Sequence, residues 1–186
     1  MTALDGDGGG GTSGASGTAV ATRRSGAHWI AFFGIAATVW ILDQLSKAWL
    51  VGQLSPGESM SVVGDLVRLV FSQNSGALFG LFRDNALLFG VVSIFVIGLI
   101  VVYQRQVGSS LYLSIALGLL LGGALGNVTD RLRLGYVVDF VDIGIGDFRW
   151  YTFNVADAAI STSIVMLIGA ALIPSLVGLG ERRSDG

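Results

Sequence analysis

The sequence contains no cysteine and only one histidine, His28. The missing cysteines exclude disulfides, thiolate nucleophiles and cysteine-ligated metal sites. A single histidine leaves no imidazole base near any acidic cluster, so any catalysis has to use carboxylates. Charged residues are also scarce, at 13% of the chain, and a net charge of -2 provides no basic stripe for nucleic acid.

Apolar residues, by contrast, are abundant. They make up 52% of the 186 residues, and the mean hydropathy is +0.71. Soluble domains carry about twice as many charged residues. The composition therefore predicts a single membrane-embedded domain held together by helix packing.

Four apolar segments have about the 17 to 25 residues that a spanning helix needs. They cover residues 28–50, 85–103, 110–130 and 154–177. Two connecting segments, 59–73 and 136–153, contain β-branched runs around glycines, which is typical of short hairpins. The predicted fold class is an all-α membrane protein, a four-transmembrane-helix bundle with small extracytoplasmic β-hairpins.

The two ends of the chain differ from this central part. Residues 1–26 form a Gly/Ser-rich stretch without an apolar run, predicted to be a disordered cytoplasmic tail without the features of a cleaved signal peptide. The helical domain is expected over 27–178, and a second cytoplasmic tail over 179–186. An even number of spans places both termini on one side. Arginines beside the short inner segments, at 23, 24, 105, 182 and 183, indicate the cytoplasm.

Carboxylates occur at the predicted helix ends. Gly118, Gly122 and Gly126 form a small-residue stripe on the third helix, and Asp130 continues it. Asp157 lies in the first turn of the fourth helix. An antiparallel arrangement of these helices would bring Asp130 and Asp157 to one depth, where two neighbouring carboxyls can share a proton and act as acid and base.

Structural roles are also open for these acids. Asp130 could pair with Arg131 or Arg133, and Asp157 could cap its helix. Asp43 and Lys47 have the i,i+4 spacing of an ion pair, in which Lys47 would extend to the membrane surface. Asp139, in the run YVVDFVDI, is either an exposed loop charge or a positioning residue.

The chain resembles the lipoprotein signal peptidase family, also called signal peptidase II. Five blocks occur in the family's order: Asp43-Gln44 with Lys47, Asn74 to Ala77 within FSQNSGALFG, Gly122 to Arg131 (GGALGNVTDR), Val137 to Phe140, and Phe153 to Asp157 (FNVAD). The resemblance runs from about Trp40 to Ser161. Thr129 departs from it, because the family commonly has an aliphatic residue there.

This resemblance implies an intramembrane aspartic endopeptidase of the bacterial inner membrane. It would cleave prolipoproteins immediately before a diacylglyceryl-modified cysteine, near the outer face, without a metal or cofactor. The expected partners are lipid-modified prolipoproteins and membrane phospholipid, with no nucleic acid, and the expected state is a monomer. The site residues carried over are the catalytic pair Asp130 and Asp157, the lining residues Asn74, Asn127, Arg131 and Asn154, and the supporting residues Asp43, Lys47, Gly76 and Asp139.

Other classes of membrane protein could also use buried acids. A small transporter could employ Asp130 and Asp157 as a proton or ion relay. The sequence shows no internal repeat and no pair of broken helices, which transporters of this kind often contain. A non-catalytic adaptor would account for the helices but not for two matched acids.

Overall fold

The computed structural model describes the backbone of residues 15–75, 86–106 and 110–177, with side chains from residue 26 in the first helix and residue 91 in the second. The described helices are α1 (Ala15–Gln53), α2 (Ala86–Gln106), α3 (Leu111–Leu134) and α4 (Val155–Leu172), with a 3-10 turn at Pro174–Val177. The strands are β1 (Ser59–Val63), β2 (Val67–Asn74), β3 (Val137–Ile145) and β4 (Phe148–Arg149).

Helix α3 is the central helix and packs against α1, α2 and α4. A Cβ atom at Gly118 would lie 2.8 Å from the carbonyl oxygen of Phe32, and one at Gly122 would lie 2.6 Å from that of Ala36. No larger side chain fits at these two positions without a shift of the backbone, so α1 and α3 approach closely. The predicted role of the glycine stripe is confirmed, and its partner is α1.

Three of the described helices are long and apolar enough to cross a membrane. Their apolar stretches are Gly26–Gln53, Leu111–Leu134 and Val155–Leu172. The described apolar part of α2, Val91–Gln106, is shorter. Large apolar side chains such as Ile30 and Leu172 remain exposed on the helices, which is the surface a bilayer would cover.

Helix α1 begins at Ala15, inside the segment predicted to be an unfolded tail. The prediction is therefore wrong for residues 15–26, while 1–14 and 178–186 lie outside the described residues. The prediction relied on the absence of a packing surface. Extending an existing helix needs none, because each added residue gains a backbone hydrogen bond without a new nucleation step.

The strands form two hairpins, as predicted. Gly64 (φ 51°) lies in the turn between β1 and β2, and Gly146 (φ 56°) in the turn between β3 and β4. Strands β2 and β3 also pair antiparallel, with Asn74 opposite Val137, so the hairpins join into one sheet of order β1-β2-β3-β4. This joining was not predicted, because hairpin signals report only local pairing.

Four charged residues connect the two hairpins through ion pairs and hydrogen bonds. We call them the charge cluster: Asp65, Arg68, Asp142 and Arg149. Asp142 accepts hydrogen bonds from Nη2 of Arg68 at 2.8 Å and from Nε of Arg149 at 2.9 Å. Asp65 pairs with Arg149 at 3.3 Å. Burial acts to raise the pKa of Asp142, but the two guanidinium groups hold this pKa below its usual value.

The sheet is fixed at the end of the helix bundle. Leu50 of α1 packs with Phe71, Val138 and Phe140 of the sheet in one buried apolar cluster. Gly135, with φ 79°, ends α3 and lets the chain turn directly into β3. The end of α3, the start of β3 and the start of α4 therefore meet in a small volume.

Candidate active site

Buried polar side chains gather where these three elements meet. The group comprises Asp43, Lys47, Asn127, Asp130, Asp139 and Asn154, all of them buried. Burying charges is unfavourable unless each charge is paired or hydrogen-bonded. The bonds that each carboxylate makes therefore indicate which of them can take part in chemistry.

Lys47 is paired with two carboxylates. Its Nζ lies 2.7 Å from Oδ2 of Asp43 and 2.9 Å from Oδ2 of Asp130. The predicted ion pair between Asp43 and Lys47 is confirmed. The predicted extension of Lys47 to the membrane surface is wrong, because the side chain is only 4% exposed. A second acid, on α3, compensates the buried ammonium group.

Asp130 has both of its carboxylate oxygens occupied. Oδ1 accepts a hydrogen bond from Nε2 of Gln44 at 3.0 Å, and Oδ2 accepts one from the backbone N–H of Val138 at 3.1 Å in addition to the contact with Lys47. Asp130 is thus bound as the counter-ion of Lys47, which is not the arrangement expected for an acid that shares a proton with Asp157.

Asp157 caps α4, as one of the open interpretations predicted. Oδ1 of Asn154 accepts from the backbone N–H of Asp157 at 2.9 Å, and Oδ2 of Asp157 accepts from that of Asn154 at 3.2 Å. Oδ1 of Asp157 accepts from Nδ2 of Asn127 at 2.8 Å. The carboxylate is half-buried, so it is held firmly while part of it stays accessible.

Asp139 of β3 is the acid that shares a partner with Asp157. Its Oδ1 accepts from Nδ2 of Asn154 at 2.7 Å, and its Oδ2 accepts from Nδ2 of Asn74 at 2.9 Å. Asn154 therefore donates to both carboxylates, through its side chain to Asp139 and through its backbone to Asp157. This common donor places the two acids on either side of one residue.

The electrostatics of Asp139 agree with this arrangement. Burial, followed by the negative charge of Asp157, raises the pKa of Asp139 to about 7. Near neutral pH the Asp139 carboxyl therefore exists in both its protonated and its ionised form. Two neighbouring carboxyls with one proton between them provide an acid and a base together.

Asn127 connects the Lys47 ion pairs to this pair of acids. Its Oδ1 accepts from Nζ of Lys47 and from Nδ2 of Asn154, each at 3.2 Å, and its Nδ2 donates to Asp157. The cation fixes which end of the amide is the oxygen, and so directs the NH₂ group to Asp157. Through Asn127, the Lys47 ion pairs thereby help to position the Asp157 carboxylate, which they do not contact.

Two cavities that are lined by described residues reach Asp157. The larger cavity, of about 650 Å³, is lined by Arg149, Trp150 and Phe153. The smaller cavity, of about 320 Å³, lies between α2, α3 and α4. The predicted lining residues at the smaller cavity are Asn74, Asn127 and Arg131.

Two other predicted site residues, Asn154 and Gly76, remain. Asn154 was predicted to line the site, but it is fully buried and donates a hydrogen bond to each of the two acids. Gly76 lies outside the described residues. Among the residues that the structure describes, no three histidine, aspartate or glutamate side chains are grouped as metal ligands.

The sequence contains a signal that Asp139 is a buried acid. Residues 137–140 of β3 are all buried, so both faces of this stretch are covered, and Asp139 is only 2% exposed. An ionisable residue inside a continuous apolar strand run is seldom a loop charge. Read in this way, VVDF predicts a buried acid.

Comparison with known proteins agrees with the resemblance seen in the sequence. The profile of the family described as Signal peptidase (SPase) II matches residues 35–173. A lipoprotein signal peptidase of Moorella thermoacetica is 39% identical over 77% of this chain and 94% of its own length. That of Pseudomonas aeruginosa (strain UCBPP-PA14) is 41% identical over 72% of this chain and 82% of its own length.

Solved structures extend the similarity to the fold. One, described as a bacterial membrane enzyme studied by the in meso method, has a TM-score of 0.72 and 30% identity, covering 77% of this chain and 88% of its own. A second, described in the same way, has a TM-score of 0.70 and 29% identity over 76% of this chain.

Proposed function

The chain belongs to the signal peptidase II family, and from this premise we propose that Asp139 and Asp157 are the two aspartates that cleave its substrate. The activity itself is aspartic cleavage of the signal peptide from bacterial prolipoproteins at the membrane. The observation that carries the proposal is that Asn154 donates to both acids, at 2.7 Å and 3.2 Å. We therefore propose Asp139 as the second catalytic acid, in place of Asp130, for which the sequence predicted this role.

The two acids would divide the chemistry between them. The ionised carboxylate takes a proton from a water molecule, whose oxygen attacks the scissile carbonyl carbon. The protonated carboxyl gives its proton to the carbonyl oxygen. When the tetrahedral intermediate collapses, the C–N bond breaks. The amine nitrogen then receives the proton that the first carboxylate took from water, and the former carbonyl oxygen returns its proton to the second carboxylate. We place this bond before the diacylglyceryl-modified cysteine.

Asn74 controls how the smaller cavity reaches Asp139. Its side chain lines that cavity and donates to Oδ2 of Asp139 at 2.9 Å. A peptide carbonyl entering beside Asp157 would replace the Asn74 amide as the partner of Asp139. We therefore expect Asn74 to turn away from Asp139 when substrate binds.

The proposal includes the placement of the site in the membrane. Arg105 lies in the last turn of α2, opposite to the helix ends that meet the sheet. Basic residues favour the cytoplasmic side. We propose four spanning helices with both termini cytoplasmic, and the acids and hairpins near the outer face of the inner membrane. The peptidase domain would cover 27–178 and act as a monomer in contact with phospholipid.

Three asparagine variants test the choice of acids. Single-turnover cleavage of a lipidated precursor by purified Asp139→Asn and Asp157→Asn should fall by about 10²- to 10⁴-fold, because asparagine can neither take nor give the proton. Asp130→Asn is the matched control. It should lower stability by leaving Lys47 with one partner fewer, while the folded fraction keeps much of its turnover.

The reverse result would restore the assignment predicted from the sequence. Substantial turnover in Asp139→Asn, together with loss of turnover in well-folded Asp130→Asn, would show that Asp130 is the second acid. Folding should be checked by melting in detergent before rates are compared. Substantial turnover in folded Asp157→Asn would contradict both assignments.

A further inference from the structure

The two cavities share the lining residues Asp157 and Tyr151. Tyr151 lies between β4 and α4 and has no part in the chemistry described above. Its neighbours are divided between the cavities, since Trp150 lines the larger one and Thr152 the smaller one. Along the chain, Trp150 therefore lines the larger cavity, Tyr151 lines both cavities, and Thr152 lines the smaller one. Tyr151 therefore lies at the boundary between the two cavities.

The cavities differ in the chemistry of their walls. The larger one presents the guanidinium group of Arg149 and the aromatic rings of Trp150 and Phe153. Trp150 is 71% exposed, so this wall is open to the surface. The smaller one lies between three helices, and apolar side chains such as Val96 and Leu120 line it beside the asparagine and arginine residues named above. A space between helices with mostly apolar walls and a few polar groups suits a membrane-embedded peptide, and an open aromatic space suits a bulky amphipathic group.

We propose that Tyr151 is a specificity-determining residue that separates the two sides of the scissile bond. The side chain preceding the bond enters the smaller cavity, and the lipid-bearing cysteine occupies the larger one. This inference rests on the proposed function, because the bond has to lie at Asp157, where the cavities meet. The ring of Tyr151 then limits the size of the side chain that precedes the cysteine.

The test compares two lipidated precursors that carry alanine or phenylalanine immediately before the cysteine. The wild-type protein should cleave the alanine precursor with the higher kcat/KM. Tyr151→Ala joins the cavities and should reduce this preference by at least about tenfold, a usual effect of altered side-chain volume in a pocket. Tyr151→Phe keeps the ring and should keep the preference. Tyr151→Leu provides a second truncation if Tyr151→Ala does not fold.

Tyr103→Ala is the matched control. Tyr103 is a half-exposed tyrosine near the other end of α2 and lines neither cavity. This variant should keep the wild-type preference. An equal loss on both precursors in the Tyr151 truncations would indicate a purely structural role and overturn the inference. An unchanged ratio, or a wild-type protein without preference, would also overturn it. Failure of the wild-type protein to cleave either precursor would instead refute the proposed function.

Discussion

The stability of the wild-type protein should depend on pH through Asp139. Replacing Asp139 by asparagine should remove this dependence. The pKa of Asp139 is raised to about 7 by burial and by the charge of Asp157. The same side chain in an unfolded chain titrates at about 3.9. The folded state therefore binds this proton more tightly than the unfolded state. A raised carboxyl pKa stabilises the folded protein while the group is protonated, and this contribution is lost as the pH rises towards 7.

The size of the effect follows from the two pKa values. Between pH 5 and pH 7 the folded protein loses about 1.4 kcal/mol of stability per pH unit through this group, and little more is lost above pH 7. The total between pH 5 and pH 8 is about 3 kcal/mol. Asparagine does not titrate, so the Asp139→Asn variant should lose no stability through this position as the pH rises. It also faces two NH₂ donors, from Asn74 and Asn154, and leaves one without an acceptor. That penalty, about 1 to 3 kcal/mol, is the same at both pH values.

The assay is melting in one detergent at pH 5 and pH 8, for the wild-type protein and Asp139→Asn. The difference in melting temperature between the two proteins should shift in favour of the variant by about 5 to 10 °C from pH 5 to pH 8. Asp142→Asn is the control, because the lowered pKa of Asp142 leaves it ionised across this range. Equal pH dependence in the wild-type protein and Asp139→Asn would refute the reasoning.

Three further predictions concern the ion pairs, the helix contact and the rate. Lys47→Met leaves two buried carboxylates without their cation and should lower stability by about 3 to 5 kcal/mol in chemical denaturation. Gly122→Ala places a Cβ 2.6 Å from a carbonyl oxygen of α1 and should lower the melting temperature, whereas Gly98→Ala, with open space around it, should not. Turnover of a lipidated precursor should fall about tenfold per pH unit above pH 7, as Asp139 loses its proton; a rate that rises there would contradict its role as the acid.

Local patterns in the sequence predicted much of this fold. Apolar segments of spanning length and glycine-centred β-branched runs correspond to the helices and hairpins, because both signals depend on neighbouring residues. The pairing of β2 with β3 joins segments that are distant in the chain, and no local pattern specifies it. The burial of Lys47 was missed for the same reason, since its second partner, Asp130, lies on another helix.

The candidate site was predicted in part. Placing Asp157 at a helix start was correct because capping depends on a few adjacent residues. The prediction of Asp130 as its catalytic companion considered only the ends of two helices at one depth, and it stays a prediction beside the proposal of Asp139. Strand β3 returns to the same place directly after α3 and brings Asp139 to Asn154. Spacing along helices could not reveal an acid delivered by a strand.

The charge cluster has a mechanical consequence. Arg149 belongs both to the wall of the larger cavity and to the cluster, where its Nη1 donates to the backbone oxygen of Asp65 at 2.7 Å. We therefore expect a displacement of that wall to be transmitted to the turn at Gly64, so that the two hairpins move together. A spectroscopic label in the β1–β2 turn would then report the filling of a cavity that it does not touch.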